Sequence, residues 1–294
     1  MDKSAHSLVI KMYCSRRALA RAAASPILAF LLAACVALQT YSVPRAAAQS
    51  AVDLELVIAV DVSLSMDLDE QRLQRDGYVA AFRDAEIHKA IASGAHARIV
   101  VTYMEWAGPA SQSVVIPWTV LDGPAAAMAF ADKLEALPIS RARLTSISAA
   151  LKFSQDLFAT SGAKGIRRVI DVSGDGPNNA GEPVVPVRDE LVAGGIVING
   201  LPIMLHTAVS TTFDIGDLDQ YYGNCVIGGA GAFMVPVREL KEFASAIRRK
   251  LLLEISGLGS PARIIPAQNL PPAEGYDCLT GEKRWRWYFD RIPN

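Results

Sequence analysis

A chain of 294 residues is long enough for one large domain with appendages, and its 51% hydrophobic and 20% charged residues describe a globular polypeptide, not a disordered one. Basic and acidic residues number 29 and 30, but six of the basic ones and a single acid lie within residues 1–48. Without that segment 23 basic and 29 acidic residues remain, a net charge of −6 that disfavours nucleic acid and anionic membrane surfaces as partners. The segment itself has the three parts of a secretory signal peptide: a basic leader with Lys11, Arg16, Arg17 and Arg21, an uncharged apolar core over Pro26–Leu38, and the small residues Ala46-Ala47-Ala48 before Gln49. Residues 1–48 are therefore expected to be removed on export, leaving a periplasmic or secreted protein. The apolar core is short for a membrane span, and no later segment is long and apolar enough for one. Two variants compete. Ser15-Arg16-Arg17 partly matches a twin-arginine signal, and Leu32-Ala33-Ala34-Cys35 partly matches a lipoprotein box that would anchor the chain through Cys35. Val36-Ala37-Leu38 continue the apolar core past that cysteine and favour simple cleavage.

Beyond the leader, apolar runs alternate with helical patterns. Leu56–Val60 reads as a strand covered on both faces, with Glu55 near its exposed end. Asp69–Ser93 reads as one helix stopped by Gly94. Arg98–Trp106 and Ser113–Trp118 follow as strands, then a turn at Asp122-Gly123-Pro124 and an alanine-rich helix over Ala125–Leu137. Ser146–Ala159 is helical, Arg167–Val172 is a central strand in which Asp171 needs a partner if buried, and Pro186–Ala193 is helical again. Ile196–Leu205 and Ala232–Val235 are strands, and Val237–Ile255 is a terminal helix. This alternation implies a doubly wound α/β fold with a mostly parallel sheet and helices on both faces, over residues 53–257. Residues 258–294 form a tail. Its first part, with Pro261, Pro266, Pro271 and Pro272, reads as an extended connector. Its end, Arg284-Trp285-Arg286-Trp287-Tyr288-Phe289, either packs back on the domain or forms an exposed partner-binding strand. Cys225 and Cys278 are an even pair in an exported chain, either bonded or two separate buried thiols.

Three stretches carry the candidate chemistry: Asp61-Val62-Ser63-Leu64-Ser65 after the first strand, Thr145 before a helix, and Asp175 in Gly174-Asp175-Gly176 after the central strand. All five residues Asp61, Ser63, Ser65, Thr145 and Asp175 offer oxygen, which suits a hard cation such as Mg²⁺ or Mn²⁺ and not zinc or copper. Two of the stretches follow strands, where open α/β sheets place their ligands. Asp-x-Ser-x-Ser, a distant Thr and a distant Asp-Gly, in this order, resemble the metal-ion-dependent adhesion site of von Willebrand factor A domains. The stretch Tyr221–Gly229 with Gly231-Ala232-Phe233 is further similar to a group of exported bacterial proteins of unassigned function that carry this domain. The resemblance implies that Ser63 and Ser65 contact the metal directly, Thr145 directly or through water, and that Asp61 and Asp175 orient hydroxyls and waters. It also implies a binding role, in which a carboxylate on a protein partner completes the coordination.

The competing readings are local or catalytic. Ser63 and Ser65 could cap the following helix, with Asp175 in a simple turn. Asp67 and Asp69 also lie at that helix start, where the dipole favours negative charge. A Rossmann nucleotide site lacks its glycine fingerprint, and a serine-hydrolase elbow is absent. His88, His96 and His206 have no partners at metal-ligand spacing. The chain is thus expected to be no enzyme but an exported, metal-dependent binding domain without nucleic-acid or membrane-spanning function; a metal-free scaffold of the same fold, or a metal-dependent hydrolase, is the alternative. Protein recovered from an exporting cell is expected to begin at or near Gln49 by intact-mass measurement, whereas a lipidated chain beginning at Cys35 would establish the lipoprotein variant.

Overall fold

The computed structural model describes residues 49–205, 215–257, 265–266 and 275–291. The leader with Cys35, most of the Pro-rich connector and His206 lie outside the described residues. The described part is built on a seven-stranded sheet of order β3-β2-β1-β4-β5-β6-β7. Strand β1 (Ser50–Asp61) is central and pairs in parallel with β2 (Ile99–Trp106) and β4 (Ala163–Gly174). Strand β4 continues in parallel to β5 (Ile196–Pro202), and β5 to the two-residue β6 (Phe233–Met234). The edges are antiparallel: β3 (Gln112–Leu121) on β2 and β7 (Ile265–Pro266) on β6. Register slips between β2 and β3 opposite Pro117, which has no amide hydrogen to give and is tolerated on an edge strand.

The two faces of β1 feed two cores. Leu54, Leu56, Ile58 and Val60 pack with Tyr78 and Phe82 of α1 (Leu68–Arg83), Ile87 of α2 (Ala85–Ala92), Phe130 of α3 (Pro124–Ala136), and Phe243 and Ile247 of the later helix Phe243–Ser256. Val57 and Ala59 pack on the other face with Ile147 and Leu151 of α4 (Ile147–Phe158), Val187 and Leu191 of α5 (Val184–Ala193), and the short turn α6 (Leu218–Tyr221), which runs on as a wider turn to Val226. The doubly wound α/β architecture read from the sequence is the one observed.

Several boundaries differ for physical reasons. The single helix expected over Asp69–Ser93 is two, broken at Asp84, whose carboxylate caps Glu86 N and takes Arg248 Nε at 2.6 Å. Glu55 is not at an exposed strand end: β1 begins five residues earlier, and Glu55 is buried with Oε1 accepting from Gly165 N at 2.7 Å. The terminal helix, α7 (Phe243–Ser256), starts later than Val237, because Val237 N pairs with the Pro202 carbonyl at the sheet margin.

Asp171 finds its partner in α7. Lys250 forms an ion pair with Asp171 and a second one with Glu254 at 2.6 Å; Tyr78 Oη donates to Asp171 Oδ2 at 3.2 Å and Asn199 Nδ2 to Glu254 Oε1 at 3.0 Å. All three charged groups are buried. Two carboxylates face one ammonium, so burial and, next, the Asp171 charge push Glu254 up to about 7. The folded state then holds a proton on Glu254 that the unfolded chain releases near the ordinary value of 4.5. This contribution is present at low pH and declines as pH rises from about 4.5 to 7. Glu254→Gln keeps the accepting oxygen and is expected to flatten that decline, gaining on the order of 2–3 kcal/mol relative to wild type at pH 8. Urea melts of both proteins across pH 4–8 check it, and parallel pH profiles would refute it.

Candidate functional site

The apolar run of β1 ends in a carboxylate that is fully buried, Asp61. Its Oδ1 accepts from Ser63 N at 2.7 Å, a side-chain turn that bends the chain off the sheet. Ser63 Oγ then lies 2.7 Å from Ser65 Oγ, and Ser65 Oγ donates to Asp175 Oδ1 at 2.7 Å. Since the Ser65 hydrogen goes to Asp175, the Ser63 hydroxyl is the donor to Ser65. A run of hydroxyls thus leads from buried Ser63 through exposed Ser65 to half-buried Asp175, beyond the end of β4. The serines do not cap α1. Asp67 does, with Oδ1 accepting from Asp69 N and Glu70 N at 2.8 Å while Glu70 Oε2 accepts from Asp67 N at 2.9 Å.

Thr145 arrives on a separate turn. Its amide donates to Asn179 Oδ1 at 2.9 Å and its carbonyl accepts from Asn179 N at 2.9 Å, which ties it to the loop that carries Asp175. The preceding Leu144 has φ 71°, a left-handed conformation costly for a γ-branched side chain and held only by its surroundings. Gly108 makes the turn possible, since a Cβ there would come 2.7 Å from the Arg143 carbonyl. Thr145 lines, with Ser63 and Ser65, a cavity of about 330 Å³ whose other walls include Leu64, Leu144, Arg143 and Trp285. Asp61, Ser63, Ser65 and Asp175 are therefore joined by hydrogen bonds, and Thr145 shares a cavity with the two serines.

The electrostatics are unbalanced at the inner end. Asp61 Oδ2 is buried and has no hydrogen-bond partner. Burial first, and the Asp175 charge second, push Asp61 well above the usual carboxylate range. A Cβ at Gly174 would stand 2.8 Å from Asp61 Oδ2 and 3.0 Å from the Tyr222 hydroxyl, so the glycine leaves room where both converge. Burial and the two aspartates also push Tyr222 up. The donor set is three hydroxyls and two carboxylates, and the described residues contain no cluster of three or more His, Cys, Asp or Glu. An all-oxygen set with an unshared, buried carboxylate oxygen fits a hard divalent cation.

Sequence reasoning missed Asn179, Tyr222 and the place of Trp285. The Asn178-Asn179 pair follows Asp175 as turn residues, but nothing local shows that Asn179 holds Thr145. The aromatic end of the tail, read either as packing back on the domain or as an exposed strand, is a helix, α8 (Thr280–Phe289), that packs back with Trp285 lining the cavity. Cys225 and Cys278 are disulfide-bonded, with Cα atoms 5.6 Å apart. Of the histidines, His88 Nε2 lies 2.8 Å from the Phe82 carbonyl, away from these residues, and His96 serves through its backbone amide on Asp53.

The sheet order, its flanking helices and the placement of these loops define a von Willebrand factor A-type α/β domain. The family described as "Protein of unknown function (DUF1194)" matches residues 51–259, and the chain belongs to that family. No curated protein matches the sequence. Among solved structures, proximal thread matrix protein 1 from the mussel byssus is similar with 14% identity and a TM-score of 0.51, over 71% of this chain and 49% of that one. The same mussel protein described with a zinc-occupied MIDAS motif matches with the same values. The pilus adhesin SpaC from Lactobacillus rhamnosus GG overlaps at a TM-score of 0.54 and 9% identity, over 70% of this chain and 31% of that one. The chain thus spans about half of the mussel protein and under a third of the adhesin. At such identities the likeness speaks for the fold alone.

The capping geometry makes a direct prediction. Asp67→Ala is expected to cost about 1 kcal/mol, and Ser65→Ala, measured without divalent cation, less. Chemical denaturation of both variants decides it, and a larger loss for Ser65→Ala would return the serine to the helix cap.

Proposed function

We propose that this protein is an exported binding domain that holds one Mg²⁺-type cation (Mg²⁺ or Mn²⁺) and engages an acidic group on a protein partner. The observation that carries the reading is the buried, unshared Asp61 oxygen at the inner end of a run of hydroxyls that opens on a cavity. Ser63 and Ser65 would hold the cation through their hydroxyls, Thr145 through its own or a water, and Asp61 and Asp175 would orient those groups. Neutral hydroxyl ligands leave the charge of a bound cation little offset, so it would offer an open position to a partner carboxylate. The zinc-occupied motif of the mussel protein and the adhesin's fold support the reading as analogies. The disulfide supports export, since such bonds persist in oxidising compartments. Among the described residues no helix is long and apolar enough to cross a membrane.

Protein purified after export is expected to bind about one Mg²⁺ or Mn²⁺ per chain, as a single oxygen site implies. The cation should raise the melting temperature of wild type and leave that of the Ser63→Ala/Ser65→Ala double variant unchanged. Calorimetric titration and thermal melts measure both, and equal shifts in the two proteins would sink the assignment. A partner bound with the same affinity in EDTA and by Asp61→Ala would favour a metal-independent scaffold.

A further inference from the structure

The tail is fastened to the site it overlooks. The Cys225–Cys278 bond fixes the chain two residues before α8. Asn178 Nδ2 donates to Glu282 Oε1 at 2.8 Å, and Gly281 is buried against the same residue, where any Cβ would overlap the Asn178 carbonyl. Asn178 is itself held from three sides: its amide donates to Tyr221 Oη at 3.1 Å, its Oδ1 accepts from Ser148 N at 3.1 Å, and Nδ2 also reaches the Glu182 carbonyl. The next residue, Asn179, is the one that holds Thr145. Gly281 and Glu282 lie one helical turn before Trp285, so all three share a face of α8. That face turns toward the domain. Trp285 is half-buried and lines the cavity beside Ser63, Ser65 and Thr145, with the exposed Phe289 ring packed 4.6 Å from it, whereas Trp287 is exposed on another face.

The composition of the cavity follows from this. The cavity is lined by the hydroxyl residues Ser63, Ser65 and Thr145, by Asn179, by the apolar Leu64, Leu144 and Trp285, and by the cationic Arg143. Leu64 is 48% exposed, a large apolar residue facing solvent between the two serines, whereas Val62 of the same motif is buried. Leu144 is held there by a strained backbone. A site for a bare carboxylate needs none of these walls. A carboxylate adjoining an aromatic or aliphatic side chain uses all of them: the acid meets the hydroxyls and Arg143, and the apolar group is sheltered from water between Trp285 and the leucines.

We propose that α8 is the specificity wall of the site, and that Trp285 selects protein segments in which an acidic residue is next to an aromatic or aliphatic one. The selection of an acid rests on the function proposed above; the apolar selection rests on the cavity itself. The test uses the exported protein with Mg²⁺ and three blocked dipeptides, acetyl-Phe-Asp-amide, acetyl-Ala-Asp-amide and acetyl-Phe-Asn-amide, with binding read from NMR shifts. Wild type is expected to bind the Phe-Asp peptide about tenfold more tightly than the Ala-Asp peptide, the discrimination expected from burying part of one aromatic ring. The Phe-Asn peptide is expected to bind more weakly than the Phe-Asp peptide. In Trp285→Ala the preference for Phe-Asp over Ala-Asp should fall to within about twofold with Ala-Asp binding retained, and Trp285→Phe should keep most of the preference. Gly281→Val, which pushes α8 off Asn178 and alters no hydroxyl or carboxylate of the site, should give the same loss as Trp285→Ala. A wild-type ratio near one, a preference that survives in Trp285→Ala, or no binding of any peptide overturns the proposal. Mg²⁺-dependent capture of Ala-Asp with no apolar preference removes the wall and leaves the metal reading. A Trp285-dependent preference that persists in EDTA removes the metal reading and leaves the wall.

Discussion

A parallel sheet covered by helices on both faces leaves its central strands no polar surroundings except at their ends. In this protein that constraint decides where chemistry can occur. β1 and β4 lie side by side in the middle of the sheet, and both end in polar loops on the same margin. Asp61 is the last residue of one strand, and Asp175 follows the last residue of the other. The neighbouring strands bring the two carboxylates close enough for the charge of one to raise the proton affinity of the other. Every other part of the site is attached to that pair. The serines bridge it, the Thr145 turn is pinned to it through Asn179, and the tail is clamped to it through Asn178.

Two buried aspartates on adjacent strands have opposite fates. Asp171 in β4 is buried against the helix layer, and Lys250 of α7 supplies a cation from within the chain. Tyr78, Asn199 and Glu254 complete that network, which ties α7 to the centre of the sheet. Asp61 in β1 is equally buried, but no cation of the chain pairs with it; its neighbours are the serine motif and a second carboxylate, Asp175. A buried carboxylate with no cation from the chain is costly, and burial and the Asp175 charge raise its affinity for a proton. The contrast separates a carboxylate that the chain neutralises with its own lysine from one that it does not.

The tail extends this logic. A short aromatic helix has little reason to order itself, since ten residues rarely hold a helix alone. Here a covalent bond, a buried hydrogen bond and a side-chain-free contact at Gly281 act at its start. The strained Leu144 lies across the same cavity, stabilised by the hydrogen-bonded turn around it. Both are local costs borne beside the site, which is where the rest of the fold is rigid enough to sustain them.

The sequence by itself determined the layers and the donors. Uninterrupted apolar runs such as Leu56–Val60 suit strands buried on both faces, and their alternation with helical stripes implies a doubly wound sheet. Asp61, Ser63, Ser65 and Asp175 were legible as oxygen donors beyond strand ends, and Thr145 joined them through the resemblance to the adhesion-site motif. Helix breaks and caps were less legible: Asp84 ends one helix by capping the next and binding Arg248, and that choice is made by a residue 164 positions away. Asp67, not the serines, caps α1, because the serines turn instead to each other and to Asp175. Only the tertiary structure decided that Lys250 answers Asp171, that Tyr222 and Asn179 join the site, and that a tail helix sets Trp285 over it. These depend on side chains meeting across the sheet, and meetings of that kind follow from packing that no local window of sequence contains.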